Sequence, residues 1–299
     1  MPTSLSSRST PTQTAVFRRL EPFGQEVTGL SVEQITQTQI EDLKRRLAAS
    51  GVVAVRDQHI TDDAFAAFLS QLGPLTFTLG EKALAHCPQL NIVSNVGRKR
   101  PPRSVFHTDT SYISQPPAYT ALRAIVLPAQ GGETLFSNQY RAFETLPNSV
   151  KKRLRQAKVH HVATGVTLEE TAESQTWHPL FRRHPISQKI CLFLSTPERC
   201  QQLSDIENQN VDDQNVDDKN VDDKNVDGKN SQRIIRLLYK HSIRSHHVYR
   251  HHWKAGDIVI WDDRCTMHRA DHSNVVGDRI LHRGLVAGEA PVAAYTASD

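Results

Sequence analysis

Hydrophobic positions change their period along this chain. In residues 32–49 (VEQITQTQIEDLKRRLAA), Val32, Ile35, Ile40, Leu43 and Leu47 recur at approximately helical spacing, which predicts one helix. Ser50-Gly51 ends it, and VVAV (52–55) reads as a short buried strand. TDDAFAAFLSQLG (61–73) opens on Thr61, a good N-cap, with acidic residues in the first turn, and stops at Gly73-Pro74. From residue 89 strand-like runs dominate: LNIVSNV, TALRAIVLP, ETLFSN, ICLFLS, DIVIWD and RILHRGLV. Helical patterns return at 139–157 and 231–242, while 15–30 are mixed and turn-rich. A few helices followed by many strands on uneven loops predict a mainly β fold with flanking helices around a jelly-roll core. A doubly wound parallel sheet would alternate strand and helix more regularly, and no GxGxxG or GxxxxGK[ST] occurs.

One segment breaks this pattern. Residues 210–229 are four copies of a five-residue unit, NVDDQ NVDDK NVDDK NVDGK, with seven Asp and three Lys. A step of five turns about 140° around a helix, so the valines never share a face. Such a segment cannot bury enough surface to offset its ordering entropy, and a disordered insertion at about 206–230 is expected. It lacks the terminal Glu of an EF-hand loop. The polar start, MPTSLSSRSTPTQTA, has no apolar core of a secretory signal and reads as a disordered tail over 1–14. Residues 15–299 are then expected to form one interrupted domain.

Composition narrows the chemistry. With 38% hydrophobic residues in 299, a core can form. No apolar run approaches the length of a membrane span. Cys87, Cys191, Cys200 and Cys265 form no CxxC pair, which fits a reducing cytoplasm rather than a disulfide scaffold. A net charge of +4 does not by itself argue for nucleic acid. The unusual count is 15 His, and neutral imidazole is a common metal ligand.

Three candidates follow. In SVFHTDTSY, His107 and Asp109 are two apart, so on a strand they would face one side. His268 follows the strand in GDIVIWDDRCTMHRA. Two His and one carboxylate make a facial triad that leaves metal positions open, as in non-haem Fe(II) oxygen chemistry. In RILHRGLV, period two puts Arg279 and Arg283 on one face. If that face points into a barrel, each guanidinium needs an anion. Glu81 is one possible partner for Arg283. The run Arg98, Lys99, Arg100 and Arg103 reads as a solvated loop that could also attract anions. His246, His247, His251 and His252 could bind a second metal, but their spacing is loose and no carboxylate lies nearby in sequence, so they read as a wet strand-and-turn face.

With these residues in view, the chain resembles the Fe(II)/2-oxoglutarate-dependent dioxygenases of the taurine dioxygenase (TauD/TfdA) family. That family's order is HxD, then Thr or Ser, a distant His, and an Arg. Here 24 residues separate Asp109 from Thr134, 133 separate Thr134 from His268, and 10 separate His268 from Arg279. The blocks HTDTSYISQPPAYTALRAIVLP, GGETLFSN, HPLFRRHPISQK, GDIVIWDDRCTMHRA and DRILHRGLV stand in family order over about 15–290, outside 206–230.

The resemblance implies a double-stranded β-helix (jelly-roll) core. It implies His107, Asp109 and His268 as ligands of Fe(2+), and Arg279 with Thr134 as the site for the cosubstrate 2-oxoglutarate. Arg283 is implied as a substrate-binding residue. The implied reaction consumes O2, hydroxylates a small, anionic organic substrate and releases succinate and CO2. LGPLTFTLGEKALAH has no counterpart of the family's His-Pro-x-Tyr contact, which argues against taurine itself. The expected partner is a small molecule, with neither nucleic acid nor membrane, and a homo-oligomer is compatible with the family. A zinc hydrolase using the same triad, or a non-catalytic anion-binding barrel, are the alternatives; both leave Arg279 and Thr134 without a task.

Overall fold

The structure is a computed structural model that describes residues 14–78, 80–98, 104–206 and 228–296. In chain order the strands are β1 Val16–Arg19, β2 Gln25–Thr28, β3 Val52–Val55, β4 Leu75–Thr76, β5 Asn91–Ser94, β6 Tyr119–Val126, β7 Thr134–Asn138, β8 Lys158–Val162 and β9 Gln175–Pro179. They continue with β10 Phe181–Arg183, β11 Ile190–Leu192, β12 Cys200–Ser204, β13 Val248–His251, β14 Ile258–Asp262, β15 Thr266–Ala270, β16 Ile280–Val286 and β17 Val292–Ala293. The helices are α1 Gln37–Ser50, α2 Asp62–Leu72, α3 Gln139–Glu144, α4 Asn148–Arg153 and α5 Gly228–Ser242.

The fully apolar runs become strands covered on both faces. The main sheet has the order β1-β2-β3-β14-β6-β16-β4, with β5 also on β16. Along β3, Val53 and Val55 face one cluster with Ile40, Leu43 and Leu47 of α1 and Phe65, Phe68 and Leu69 of α2. Val52 and Ala54 face the opposite cluster with Val259, Trp261, Leu281, Phe136 and Tyr249. Period-two alternation thus sorts one strand between an outer helical layer and the space between the sheets. Phe136 and Tyr249 come from a smaller sheet, β13-β7-β15, that closes the interior. Leu135 and Met267, on its other face, join a third cluster with Ile235 and Leu238 of α5. Each fully buried Val, Leu or Phe contributes about 1.5–3 kcal/mol. The architecture is mainly β with flanking helices, as the hydrophobic pattern predicts.

Several boundaries differ from the sequence expectation for local reasons. The helix expected over 32–49 splits into a 3-10 turn at Val32–Gln34 and α1, because Thr36 and Gln39 form a reciprocal capping box. The helix expected over 139–157 breaks at Pro147, which flanks α4. Residues 15–30 contain β1 and β2, and β2 runs parallel to β3. Gly228 and Lys229, expected within the insertion, begin α5. The rest of the repeat, the tail through residue 13, and Lys99, Arg100 and Arg103 lie outside the described residues. His246 and His252 are exposed, as the wet-face reading expects, but His247 and His251 are buried, which overturns it for those two; His251 Nε2 meets Asp257 Oδ2 at 3.1 Å. Among the described residues no helix is long and apolar enough to cross a membrane.

Asp62, at the start of α2, ties the helical layer to the sheet. It accepts from Arg123 of β6 at 2.5 Å, and lies 2.7 Å from His282 Nδ1 of β16 and 2.8 Å from His86 Nε2. Burial works to raise its pKa, but the bonds from His282, Arg123 and His86 outweigh it and lower the value to about 2. The stabilisation is therefore present above the ordinary carboxylate range and is lost as pH falls through about 2. Asp62→Asn is expected to cost about 1–2 kcal/mol at neutral pH. Urea melts at pH 7 and pH 2.5 check this, and the gap between variant and wild type should shrink in acid.

Candidate active site

The site lies between the main sheet and β13-β7-β15. His268 sits mid-strand on β15, opposite Phe136 of β7. His107 forms a single antiparallel bridge with His268. Asp109 is not on a strand, so the expected two-residue strand facing does not occur. The chain turns at Asp109-Thr110, with Thr110 at φ 45°, and the turn swings the carboxylate back toward the imidazoles. Thr108 anchors that turn: its hydroxyl donates to Leu194 O at 2.8 Å, and Arg199 donates to Thr108 O at 3.1 Å.

One ligand atom from each of His107, Asp109 and His268 lies within 4.8 Å of the other two. His107 Nε2 is 3.4 Å from Asp109 Oδ1, and His268 Nε2 is 3.9 Å from Asp109 Oδ2. His107 Nδ1 is 2.9 Å from Val105 O; since a carbonyl only accepts, this nitrogen carries a proton, and Nε2 is the ring atom that faces Asp109. Burial lowers the pKa of His268 to about 3, assisted by His107 and Arg283 against the opposing pull of Asp109. That imidazole is neutral. For Asp109, burial would raise the pKa, but His268, Arg283 and His107 hold it well below the usual carboxylate range. Two imidazoles and one anionic carboxylate thus converge on one centre. That donor set fits a divalent metal and is unfavourable without a cation.

Behind Asp109 lies a layer that sequence reasoning did not single out. Thr120 Oγ1 of β6 lies 3.2 Å from Asp109 Oδ2 and 2.6 Å from Asp263 Oδ2, while Trp261 Nε1 donates to Asp263 Oδ1 at 2.9 Å. Burial and the charge of Asp109 push Asp263 well above the normal carboxylate range. Trp261 also covers His268, with ring centroids 4.4 Å apart. Only the uninterrupted apolar run IVIW hinted that this strand is covered on both faces.

Thr134 opens β7 in register with Ala270, two residues beyond His268. Arg279 directly precedes β16. Both are 1% exposed. Arg279 Nε donates to Gly132 O at 2.8 Å, and its NH2 donates to Thr134 Oγ1 at 3.2 Å. Its backbone N–H donates to Asn95 Oδ1 at 2.7 Å. Burial lowers its pKa to about 10, with Glu133 opposing, so it stays charged at neutrality. Gly132 has φ +80°, and a Cβ there would lie 3.0 Å from Arg279 Cδ. The Gly-Gly pair before Glu133 is the sequence signal for that close approach.

Arg283, on β16 opposite Leu122, is also buried. Its Nε donates to Asn91 Oδ1 at 3.1 Å, NH1 is 3.6 Å from Asp109 Oδ1, and NH2 is 3.4 Å from Glu81 Oε1. Both arginines therefore point inward, and Glu81 is the partner that the sequence suggested as an alternative to a bound anion.

A second cluster, His184, Asp262 and Cys265, has three buried side chains in similar proximity. Its Asp262 is occupied: Arg264 Nε and NH2 each donate to it at 2.7 Å, and His184 Nε2 meets it at 2.9 Å. Burial holds the Cys265 thiol well above its ordinary pKa. This cluster is a structural clasp without an available donor set.

The model of the family described as "Taurine catabolism dioxygenase TauD, TfdA family" matches residues 16–285. An alpha-ketoglutarate-dependent 2,4-dichlorophenoxyacetate dioxygenase of Burkholderia sp. is 26% identical, covering 85% of this chain and 87% of its own. An alpha-ketoglutarate-dependent sulfate ester dioxygenase of Pseudomonas putida is 26% identical, covering 90% and 88%. A solved taurine dioxygenase from Burkholderia xenovorans superposes with a TM-score of 0.75 at 25% identity, covering 95% of this chain and 93% of its own. Donor set, jelly-roll fold and family match agree: the chain belongs to the TauD/TfdA family of Fe(II)- and 2-oxoglutarate-dependent dioxygenases.

Proposed function

We propose that His107, Asp109 and His268 hold the Fe(II), that Arg279 and Thr134 hold the distal carboxylate of 2-oxoglutarate, and that Arg283 receives a small organic anion as substrate. The observation that carries this reading is the convergence of His107, Asp109 and His268, together with a buried, charged Arg279 to which, among the described residues, no carboxylate is hydrogen-bonded. When bound, iron with 2-oxoglutarate and O2 supplies the oxidising power for hydroxylation, with release of succinate and CO2. The chain's own residues position. The planar fork of Arg279 suits a carboxylate better than an ammonium would. Thr134 adds a hydroxyl beside it. Trp261 and Phe136 line the apolar wall next to His268 and keep water from that side. Arg283 stands 3.6 Å from Asp109, so an anion bound to it lies close to the metal position.

The relatives named above act on a dichlorophenoxyacetate and a sulfate ester, and a sulfonate dioxygenase of Saccharomyces cerevisiae is 25% identical over 87% of this chain and 63% of its own. Each of those substrates is an anion, which supports a carboxylate, sulfate or sulfonate here. The four unpaired cysteines support a reducing cytoplasm as the setting.

A succinate-release screen over sulfonates, sulfate esters and aryloxyacetates, each with a matched neutral analogue, tests the reading. Wild type should prefer the anion. Arg283→Ala should lose that preference by at least tenfold, on the order of 2–5 kcal/mol for removing one partner of a buried charge pair. Equal rates on anion and neutral analogue in wild type would reject Arg283 as the substrate's partner.

A further inference from the structure

Trp253 follows β13, whose last residue, His251, pairs in register with Thr134. That register brings the indole over the start of β7, where its Nε1 donates to Thr134 Oγ1 at 3.1 Å. The same oxygen receives Arg279 NH2 at 3.2 Å. Indole N–H and guanidinium are donors only, with no acceptor to offer in return. A threonine hydroxyl has two lone pairs and one proton. Both lone pairs are occupied, so the proton has to be given to a third group. From the geometry we infer that Trp253 is a positioning residue for the cosubstrate: it locks the Thr134 hydroxyl as an obligate donor.

The consequence is a site that presents donors alone. Arg279 cannot accept, and Thr134 is barred from accepting. A ligand group that is itself acceptor-only satisfies both, and an ionised carboxylate is such a group. Without the indole N–H, the hydroxyl regains a lone pair and can turn its proton elsewhere. The ring is held independently of that bond. It lies edge-on to His251 with centroids 4.8 Å apart, and packs against the cluster between the sheets. Trp253→Phe therefore removes the N–H while leaving an aromatic ring in place.

This inference rests on the proposed 2-oxoglutarate site, and the experiment separates the two. The probe is 2-oxoglutarate, titrated anaerobically into Fe(II)-loaded full-length protein while the visible charge-transfer band is followed. Calorimetric titration of the same samples gives a second binding readout. Trp253→Phe should weaken 2-oxoglutarate about three- to tenfold, the range of one net hydrogen bond. The KM for 2-oxoglutarate should rise more than kcat at saturation falls. Thr134→Ser, which keeps the hydroxyl, should retain sensitivity to Trp253→Phe. In a Thr134→Val background, Trp253→Phe should have no further effect, because the residue it acts through has gone. Thr134→Val keeps the side-chain shape and serves alone if the Trp253 variant does not fold: normal 2-oxoglutarate affinity in Thr134→Val overturns the inference. Unchanged affinity in Trp253→Phe, or an equal loss with and without the hydroxyl, overturns it as well. A wild type that gives no band with 2-oxoglutarate overturns the underlying reading, and this inference with it.

Discussion

Asp109→Ala is expected to reduce 2-oxoglutarate turnover to the detection limit of succinate release, and to weaken Fe(II) by at least roughly 100-fold. Loss of a residue that merely supports a metal ligand already costs about 10–100-fold in affinity or activity, and Asp109 is proposed as a ligand itself. It is also the only carboxylate among the three convergent groups, so its removal leaves two imidazoles beside the positive Arg283. A cation entering that site would meet net repulsion. His107→Ala should be equally inactive, but for loss of a donor and not of charge. Equilibrium dialysis with Fe(II) under argon, paired with succinate assays, distinguishes the two. Wild-type turnover in either variant would remove these residues from the metal site.

The second large effect is on the cosubstrate. Arg279→Ala should raise the 2-oxoglutarate requirement at least tenfold, since breaking a buried charge-assisted contact costs on the order of 2–5 kcal/mol. Arg279→Lys should rescue poorly. The native guanidinium uses Nε on Gly132 O and NH2 on Thr134, and a single ammonium cannot hold both while meeting a carboxylate bidentately. Saturation curves in 2-oxoglutarate for both variants check this. A normal half-saturation in Arg279→Ala would move the role to another residue.

How much of this was legible beforehand depends on whether the signal was local. VVAV and IVIW were readable as strands because burial on both faces leaves an uninterrupted apolar run. Thr61 marked its helix because a cap acts within three residues. The capping box at Thr36 was equally local, yet the apolar spacing across Val32 and Ile35 masked it. β1 and β2 were missed because their faces are mixed, although the pair is a local antiparallel one; β15 was missed because its partner is distant, and β13 and β15 are strands only because β7 lies between them. His107, Asp109 and His268 could be paired from spacing and family order, although the backbone that joins them is a turn and not the expected strand. Thr120, Asp263 and Trp253 left no such mark. A polar residue that matters through what packs behind it looks, in sequence, like any other.

The cysteines carry a practical consequence. All four are unpaired and buried, and burial pushes the Cys191 and Cys200 thiols up to about 12 and those of Cys87 and Cys265 upward too. Thiolate is the form that alkylating reagents attack, so the native chain should be nearly silent toward maleimide. A single cysteine placed at an exposed position, such as Ser70 on α2, would then be the one fast-reacting handle for a spectroscopic label, with no need to strip the natural thiols first.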